Sequence, residues 1–157
     1  QRAEDLQNFF KKEEVDLKGK KVVIFSMWDG YLHLKLKVPS AISYPNAYHP
    51  FWHGSNYEKG PDKPREKQLY DRIKNREFDW IIMDTNHHLM MAHHGYYYPI
   101  IRELLKASNY TLMVLPTADT WYDGWNKDVF LIYTKSKKGN CSVISETTDG
   151  KTEWECK

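Results

Sequence analysis

Short, continuous runs of apolar residues recur along the chain. They lack the alternation of apolar and polar residues that is typical of a strand with one solvent-exposed face, and several are rich in β-branched residues. This pattern indicates strands that are buried on both faces of a sheet. The runs are KVVIFS at 21–26, FDWIIMDT at 78–85, YTLMVLP at 110–116 and VFLIYT at 129–134. FDWIIMDT is the clearest of them, because it passes directly from apolar residues into a polar segment.

Amphipathic segments separate these runs and predict helices. Three of them place apolar residues three or four positions apart with charged residues between, as a helix with one buried face requires. They are AEDLQNFFKKEEVDLKGK at 3–20, REKQLYDRIKNRE at 65–77 and YYPIIRELLKASN at 97–109. A fourth segment, YLHLKLKVPS at 31–40, alternates with a period of two and fits a strand, although a helical turn after the preceding strand also fits.

Strands that alternate with helices are typical of α/β domains. We therefore expect a mostly parallel sheet with helices on both faces, a Rossmann-like three-layer arrangement, closed by a C-terminal antiparallel hairpin. The chain is long enough for one such core, and we interpret residues 1–157 as a single α/β domain. Because it starts at Gln1 rather than Met, we expect it to be a fragment of a longer protein.

The two cysteines lie in the predicted hairpin. Cys141 and Cys156 flank Asp149-Gly150, a pair that favours a tight turn. A two-residue turn there would pair Val143 with Cys156 and leave Cys141 two residues further along, so a disulfide requires a diagonal contact, a bulge or a longer turn. We predict the disulfide, which implies an oxidising compartment. Two free thiols are the alternative.

Composition excludes several classes of function. The chain has 23 Lys and Arg against 21 Asp and Glu, a formal net charge of +2, and its basic residues are scattered among acidic ones, so we expect no nucleic-acid partner. No apolar stretch approaches the roughly 20 residues that span a bilayer. Neither GxGxxG nor GxxxxGK[ST] follows any predicted strand, and there is no GxSxG, so we expect neither a nucleotide cofactor nor a serine nucleophile of that type.

Aromatic residues are frequent in segments that are too polar for a regular core. The protein has six Trp, eleven Tyr and six Phe, many of them beside His, Asn, Pro and Gly. Rings next to amide and imidazole groups suit carbohydrate, since a sugar has an apolar face and a rim of hydroxyls. In α/β sheets, ligands also collect where strands end. Our candidate ligand-binding residues are Trp28, Asp29, His49, Trp52, His53, Asp84, Trp121 and Trp125. The alternative is that these aromatic side chains bind no ligand and only pack their own loops against the core.

The densest cluster of ligating side chains follows FDWIIMDT. It consists of Asp84, His87, His88, His93 and His94. Imidazoles and a carboxylate are ligands that zinc accepts, so these residues are our candidate metal site. On a helix, His87 and His94 would share a face but stand two turns apart, too far for one ion, whereas a loop has no such limit. A hydrogen-bonded polar loop and acid–base catalysis by one histidine are the alternatives.

The order of these segments resembles a known kind of domain. The segments on which the resemblance is based are DLQNFFKK, KVVIFS with its polar end, YLHLKLKVPSAISYPNAYHP, LYDRIKNREFDWIIMDT, YYPIIRELLKASNYTLM and VFLIYTK. Over about residues 5–135 they resemble the soluble extracytoplasmic region that follows the last membrane helix in some polytopic GT-C type glycosyltransferases. In that family the catalytic carboxylates lie on loops of the membrane part, so the resemblance assigns no catalytic residue to this chain.

The resemblance implies a periplasmic or cell-surface domain that is not active alone. It would assist the binding of a carbohydrate or a lipid-linked sugar in a membrane glycosyltransferase or related envelope protein, joined to the membrane by an upstream segment. Two other hypotheses compete with it. One is a metal-dependent hydrolase that uses Asp84 and the histidines at 87–94, and the other is a protein-interaction domain.

Overall fold

A computed structural model describes residues 2–26, 29–42, 64–84, 97–117, 129–146 and 152–157. In these ranges the chain forms four helices and six strands. The helices are α1 (Arg2–Lys12), α2 (Asp29–Leu36), α3 (Pro64–Lys74) and α4 (Tyr97–Ala107). The strands are β1 (Val22–Phe25), β2 (Trp80–Asp84), β3 (Thr111–Pro116), β4 (Val129–Thr134), β5 (Cys141–Glu146) and β6 (Thr152–Cys156). None of the described helices is both long enough and apolar enough to cross a bilayer.

The strands form one mixed sheet in the order β1-β2-β4-β3-β5-β6. Only β1 and β2 are parallel neighbours, and every other adjacent pair is antiparallel. The prediction of a mostly parallel, Rossmann-like sheet is therefore wrong. The reason is β4, which pairs with β2 on one side and β3 on the other. All six of its residues are buried, so its sequence has the continuous apolar pattern of a parallel strand although it runs antiparallel to both neighbours.

Helices cover both faces of the sheet, as the sequence predicts for an α/β domain. On one face, α1 and α2 bury Leu6, Phe10 and Leu32 against the sheet, and the ring of Phe10 meets that of Trp80 edge-on at 5.1 Å. On the other face lie the buried residues of α3 and α4, which are Leu69, Tyr70, Ile73 and Leu105. The result is a three-layer domain with a core on each side of the sheet.

The segment with period-two alternation forms a helix. In α2, Leu32 is buried and Leu36 is half-buried, whereas Leu34 is 73% exposed. A strand would have placed all three leucines on one face, but a helix groups residues four apart and turns the middle one outward.

The C-terminal hairpin contains the predicted disulfide, between Cys141 and Cys156. The two cysteines are directly opposite each other in the ladder, and a register shift between Val143 and Ser145 makes Ile144 the extra residue of a bulge. A bulge was one of the three ways in which the sequence allowed the bond. Among the described residues, one ladder pair joins the hairpin to the rest of the sheet, Leu112 with Cys141, at the start of β3. Because β5 runs antiparallel to β3, the rest of the hairpin extends past the beginning of β3.

The strand directions give the sheet two distinct ends. β4 is antiparallel to both β2 and β3, so those two run the same way, and β1 is parallel to β2. The carboxyl ends of β1, β2 and β3 therefore meet at one end of the sheet, which we call the carboxyl end. Their first residues meet at the other, the amino end. The described turns lie at the amino end: 13–21, 37–39, 75–79, 108–110 and 135–140.

Candidate functional site

The last residues of β2 and β3 lie close together at the carboxyl end. Asp84 pairs with Phe130 of β4, and Phe130 pairs with Leu115 of β3, so the three stand in one row across the sheet. With strands about 4.8 Å apart, the backbones of Asp84 and Leu115 are about 10 Å from each other. This separation suits a small ligand held between the two strand exits.

β1 brings a helix start to the same end. Phe25 pairs with Met83, one residue before Asp84, and the fully buried Ser26 follows. Helix α2 then begins at Asp29, so its N-terminus lies at the carboxyl end of the sheet. The first backbone N–H groups of a helix have no partner within the helix, so this point favours a carboxylate or another acceptor.

The structure brings two of the sequence-predicted residues to one place. Asp29 opens α2 and Asp84 closes β2, both at the carboxyl end. The other candidate ligand-binding and metal-binding residues lie outside the described residues: Trp28, His49, Trp52, His53, His87, His88, His93, His94, Trp121 and Trp125. Within the described part of the chain, no group of three or more His, Cys, Asp and Glu could hold a metal ion. The metal site remains a prediction that rests on Asp84 and the sequence after it.

Three of the sequence segments that hold those residues are anchored at the carboxyl end. Residues 27–28 follow Ser26, residues 85–96 follow Asp84, and residues 118–128 join Thr117 to Val129. Val129 is paired with Pro116, so this last segment both leaves and returns at the carboxyl end. By contrast, the five turns defined above are short and lie at the amino end. The three segments that hold Trp28, the four histidines at 87–94, Trp121 and Trp125 thus connect elements at the end of the sheet where α/β proteins bind ligands.

The buried histidine of α2 has a structural role at the amino end. His33 is 8% exposed, and its ring Nδ1 lies 3.0 Å from the carbonyl oxygen of Val38. Since a carbonyl oxygen only accepts, Nδ1 is the donor in this hydrogen bond. The bond ties the last turn of α2 to the turn that follows it at the amino end, so it fixes where α2 ends.

Sequence reasoning missed a cavity of about 250 Å³ near the amino end. It lies beside α4 and the disulfide, and its lining includes Arg102, Lys106, Leu112, Tyr133, Cys141 and Val143. No sequence motif marks it, because it arises where β5 meets β3 through Cys141. The only sequence signal for it was the disulfide itself.

Two hydroxyl groups in the cavity wall, those of Tyr110 and Thr111, are already hydrogen-bonded. The Tyr110 hydroxyl donates to the carbonyl oxygen of Phe78 at 2.8 Å, and burial raises the pKa of Tyr110 to about 12. The Thr111 hydroxyl donates to the Ser136 carbonyl oxygen at 2.5 Å and accepts from the backbone N–H of Gly139 at 3.3 Å. These bonds hold the turns together, so the cavity offers fewer free polar contacts than its lining suggests.

Comparisons with protein-family models, with curated proteins and with solved structures find no match. The function therefore has to be argued from the geometry of the described residues and from the sequence of the segments that they anchor.

Proposed function

We propose that this chain is a non-catalytic extracytoplasmic domain that assists the binding of a carbohydrate or a lipid-linked sugar. Its context would be a membrane glycosyltransferase or a related envelope protein. The ligand would bind at the carboxyl end of the sheet, where β1, β2 and β3 finish.

The observation that carries the proposal is the convergence of three strand ends. Asp84 and Leu115 lie in one row across β4, and Ser26 follows β1 beside them. The sequence that continues from these ends supplies Trp28, Trp121 and Trp125. Tryptophan rings can stack on the apolar face of a sugar while carboxylates and amides accept from its hydroxyls. A rigid sheet with aromatic segments attached at one end is a suitable scaffold for this chemistry.

The disulfide supports the proposed location. The bond between Cys141 and Cys156 is compatible with an oxidising compartment, whereas cytosolic thiols are kept reduced. Such compartments are also where envelope carbohydrates are assembled and displayed. The resemblance of the segment order to the extracytoplasmic region of GT-C type glycosyltransferases points the same way.

A glycan array probed with the purified oxidised chain tests the proposal. We expect at least one class of glycan to bind, and we expect Trp52→Ala and Trp121→Ala each to weaken that binding about tenfold, the effect of losing roughly 1.4 kcal/mol of contact. Titration calorimetry with the best glycan provides the affinities.

The matched control is Trp154→Phe, on the hairpin at the opposite end of the sheet. Trp154 pairs with Val143 and packs against the core, so this substitution keeps an aromatic ring in place and should leave glycan affinity unchanged. If no glycan binds, or if Trp154→Phe weakens binding as much as Trp52→Ala does, the sugar proposal fails. Failure to bind any glycan would leave the protein-interaction hypothesis.

Metal content distinguishes the hydrolase hypothesis from the sugar-binding and protein-interaction hypotheses. Asp84 ends β2 at the carboxyl end, and four histidines follow it within ten residues of sequence. A metal that binds only the folded state stabilises it by mass action, so its removal must lower the melting temperature. We expect the purified protein to hold no stoichiometric zinc and its Tm to be unchanged by a chelator. Bound zinc together with a Tm that falls on chelation would favour the hydrolase.

A further inference from the structure

Charge is unevenly distributed between the two ends of the sheet. Among the described residues the amino end, taken as the last turn of each helix, the five turns defined above, the part of the hairpin that extends past β3 and the terminal Lys157, holds fifteen Lys and Arg and nine Asp and Glu. Its basic residues are Lys11, Lys12, Lys18, Lys20, Lys21, Lys35, Lys37, Arg72, Lys74, Arg76, Lys106, Lys135, Lys137, Lys138 and Lys157. Its acidic residues are Glu13, Glu14, Asp16, Asp71, Glu77, Asp79, Glu146, Glu153 and Glu155. The remaining sequence is therefore acidic, although the whole chain is almost neutral.

Helix dipoles explain only part of this distribution. Basic residues in the last turn of a helix offset its negative C-terminus, which accounts for residues such as Lys12, Lys74 and Lys106. The turns carry further basic residues, among them Lys20, Lys21 and Lys137, that lie outside the last turn of any helix. Apart from Arg72 and Lys135, all the basic residues of the amino end are exposed.

Three ion pairs involve acidic residues of the amino end. Asp71 pairs with Lys67 at 3.0 Å, Glu77 with Arg72 at 2.7 Å, and Asp79 with Lys135 at 3.6 Å. Two of these pairs also use basic residues of the same end, Arg72 and Lys135, so they leave its net charge unchanged. The exposed lysines that remain give this end a positive potential where its turns lie beside β1 to β4.

Exposed aliphatic side chains accompany the positive charge. Among the described residues the large hydrophobic side chains with high exposure are Tyr31, Leu34 and Ile144. Leu34 is 73% exposed and lies in the last turn of α2, next to Lys35 and close to Lys37. Ile144 is 56% exposed and is the bulge residue of the hairpin that extends past the amino end. Leu34 therefore adjoins the basic surface directly, whereas Ile144 lies on the hairpin that also carries Glu146, Glu153 and Glu155.

We propose that the amino end docks on the surface of a bilayer that contains anionic lipids. Lysines attract anionic headgroups over about a Debye length, and aliphatic side chains gain by entering the boundary between headgroups and acyl chains. A nucleic acid or another soluble polyanion would satisfy the lysines but would leave Leu34 and Ile144 in water. The pairing of exposed lysines with exposed aliphatic residues therefore favours a lipid surface.

Docking in this way sets the orientation of the domain. Strands of four to six residues rise about 3.3 Å per residue, so the carboxyl end would stand roughly 15–20 Å above the lipid headgroups. A ligand at that end would be reached from the aqueous side. The lipid proposal concerns the opposite end of the sheet from the sugar proposal and does not depend on it.

Vesicle co-sedimentation tests the lipid surface. The full oxidised chain is mixed with vesicles of phosphatidylcholine alone or with one third phosphatidylglycerol. We expect binding only to the anionic vesicles, with an affinity that falls at least about tenfold when the salt rises from roughly 50 to 300 mM, because counterions screen the lysines. Equal binding to the two kinds of vesicle, or binding to neither, overturns the proposal.

Two matched pairs of variants locate the surface. Lys37→Glu should weaken binding to anionic vesicles about threefold or more, whereas Arg2→Glu, an equal change of charge at the first residue of α1 and so at the opposite end of the sheet, should not. Leu34→Ser should weaken binding, whereas Tyr31→Ser, earlier in the same helix and also exposed, should have a smaller effect. Lys37, Leu34 and Tyr31 are exposed, and circular dichroism confirms that each variant is folded.

The variants also distinguish the other outcomes. If Leu34→Ser leaves vesicle binding unchanged and a short duplex DNA binds as tightly as the vesicles, the surface is a general polyanion site and the lipid proposal fails. If Lys37→Glu and Arg2→Glu have equal effects, the attraction comes from net charge alone and the proposal fails as well. Vesicle binding without glycan binding supports the lipid surface and contradicts only the sugar proposal.

Discussion

At the scale of single residues, Tyr110 links the pH dependence of stability to one buried hydroxyl. Burial raises its pKa to about 12, and its O–H donates to the carbonyl oxygen of Phe78. An unfolded tyrosine has a pKa near 10, so the contribution of the neutral hydroxyl is complete below pH ~10 and is lost as the pH rises towards 12. We expect the free energy of unfolding, measured in urea, to fall by up to about 1.4 kcal/mol per pH unit within that window.

The variant Tyr110→Phe separates this residue from the other tyrosines. At pH 7 it should lower the free energy of unfolding by about 1–2 kcal/mol, because the buried carbonyl of Phe78 loses its donor. Between pH 10 and 12 it should lose stability less steeply than the wild type. Tyr31→Phe, at a half-exposed position, is the control and should leave the stability at pH 7 unchanged. A Tyr110→Phe profile as steep as that of the wild type would contradict the assignment.

Two glycines should respond to alanine with opposite signs. A Cβ on Gly139 would lie 2.5 Å from the backbone nitrogen of Leu112 and from the Cβ of Thr111, too close without a backbone shift. We therefore expect Gly139→Ala to cost about 1–3 kcal/mol of stability. A Cβ on Gly30, in α2, meets nothing within 4 Å, so Gly30→Ala should be neutral or stabilise by up to about 0.5 kcal/mol. Thermal unfolding of both variants decides the matter, and a shift of the same sign in both would refute this account.

At the scale of elements, α2 shows why a pattern can fit two structures. Leucines at 32, 34 and 36 alternate as in a strand, yet the first and last are also four apart, as on a helix. Tertiary contacts decide between the two. The side-chain amide of Gln7 in α1 donates to the carbonyl oxygen of Lys35 at 2.8 Å, and His33 donates to Val38. Neither contact can be predicted from the alternation of residues, so the sequence did not decide between a strand and a helix.

The direction of β4 was beyond the sequence for a different reason. Alternating apolar and polar residues indicate an antiparallel strand only when one of its faces is exposed to water. β4 is buried along its whole length, so its sequence does not show whether it is parallel or antiparallel to its neighbours. The pattern of apolar residues predicted the existence of the strands β1 to β4 and of the helices α1, α3 and α4, because that pattern depends on burial alone. The order and direction of strands depend on which neighbours each strand meets, and periodicity carries no information about that.

At the scale of the whole molecule, the predicted positions of Asp29 and Asp84 do not depend on the direction of β4, which the sequence predicted wrongly. A strand that runs antiparallel to both neighbours leaves those neighbours parallel to each other, so β2 and β3 still finish at the same end. The sequence could therefore predict where Asp29 and Asp84 would lie from the alternation of strands and helices. It could not predict the cavity beside Cys141, which exists only because the hairpin joins β3 through one pair of residues.

That single pair also makes the stability of the molecule uneven. The disulfide closes a loop with a sequence separation of 15, so the double variant Cys141→Ser/Cys156→Ser should make opening of the hairpin easier by about 3 kcal/mol. Since Leu112 with Cys141 is the one ladder pair that joins the described part of the hairpin to the sheet, we expect hydrogen exchange to accelerate in β5 and β6 while the amides of β1, β2 and β4 keep nearly their wild-type protection. Wild-type protein treated with a reductant should behave in the same way. Equal acceleration in all the strands would mean that the hairpin and the sheet unfold as one cooperative unit.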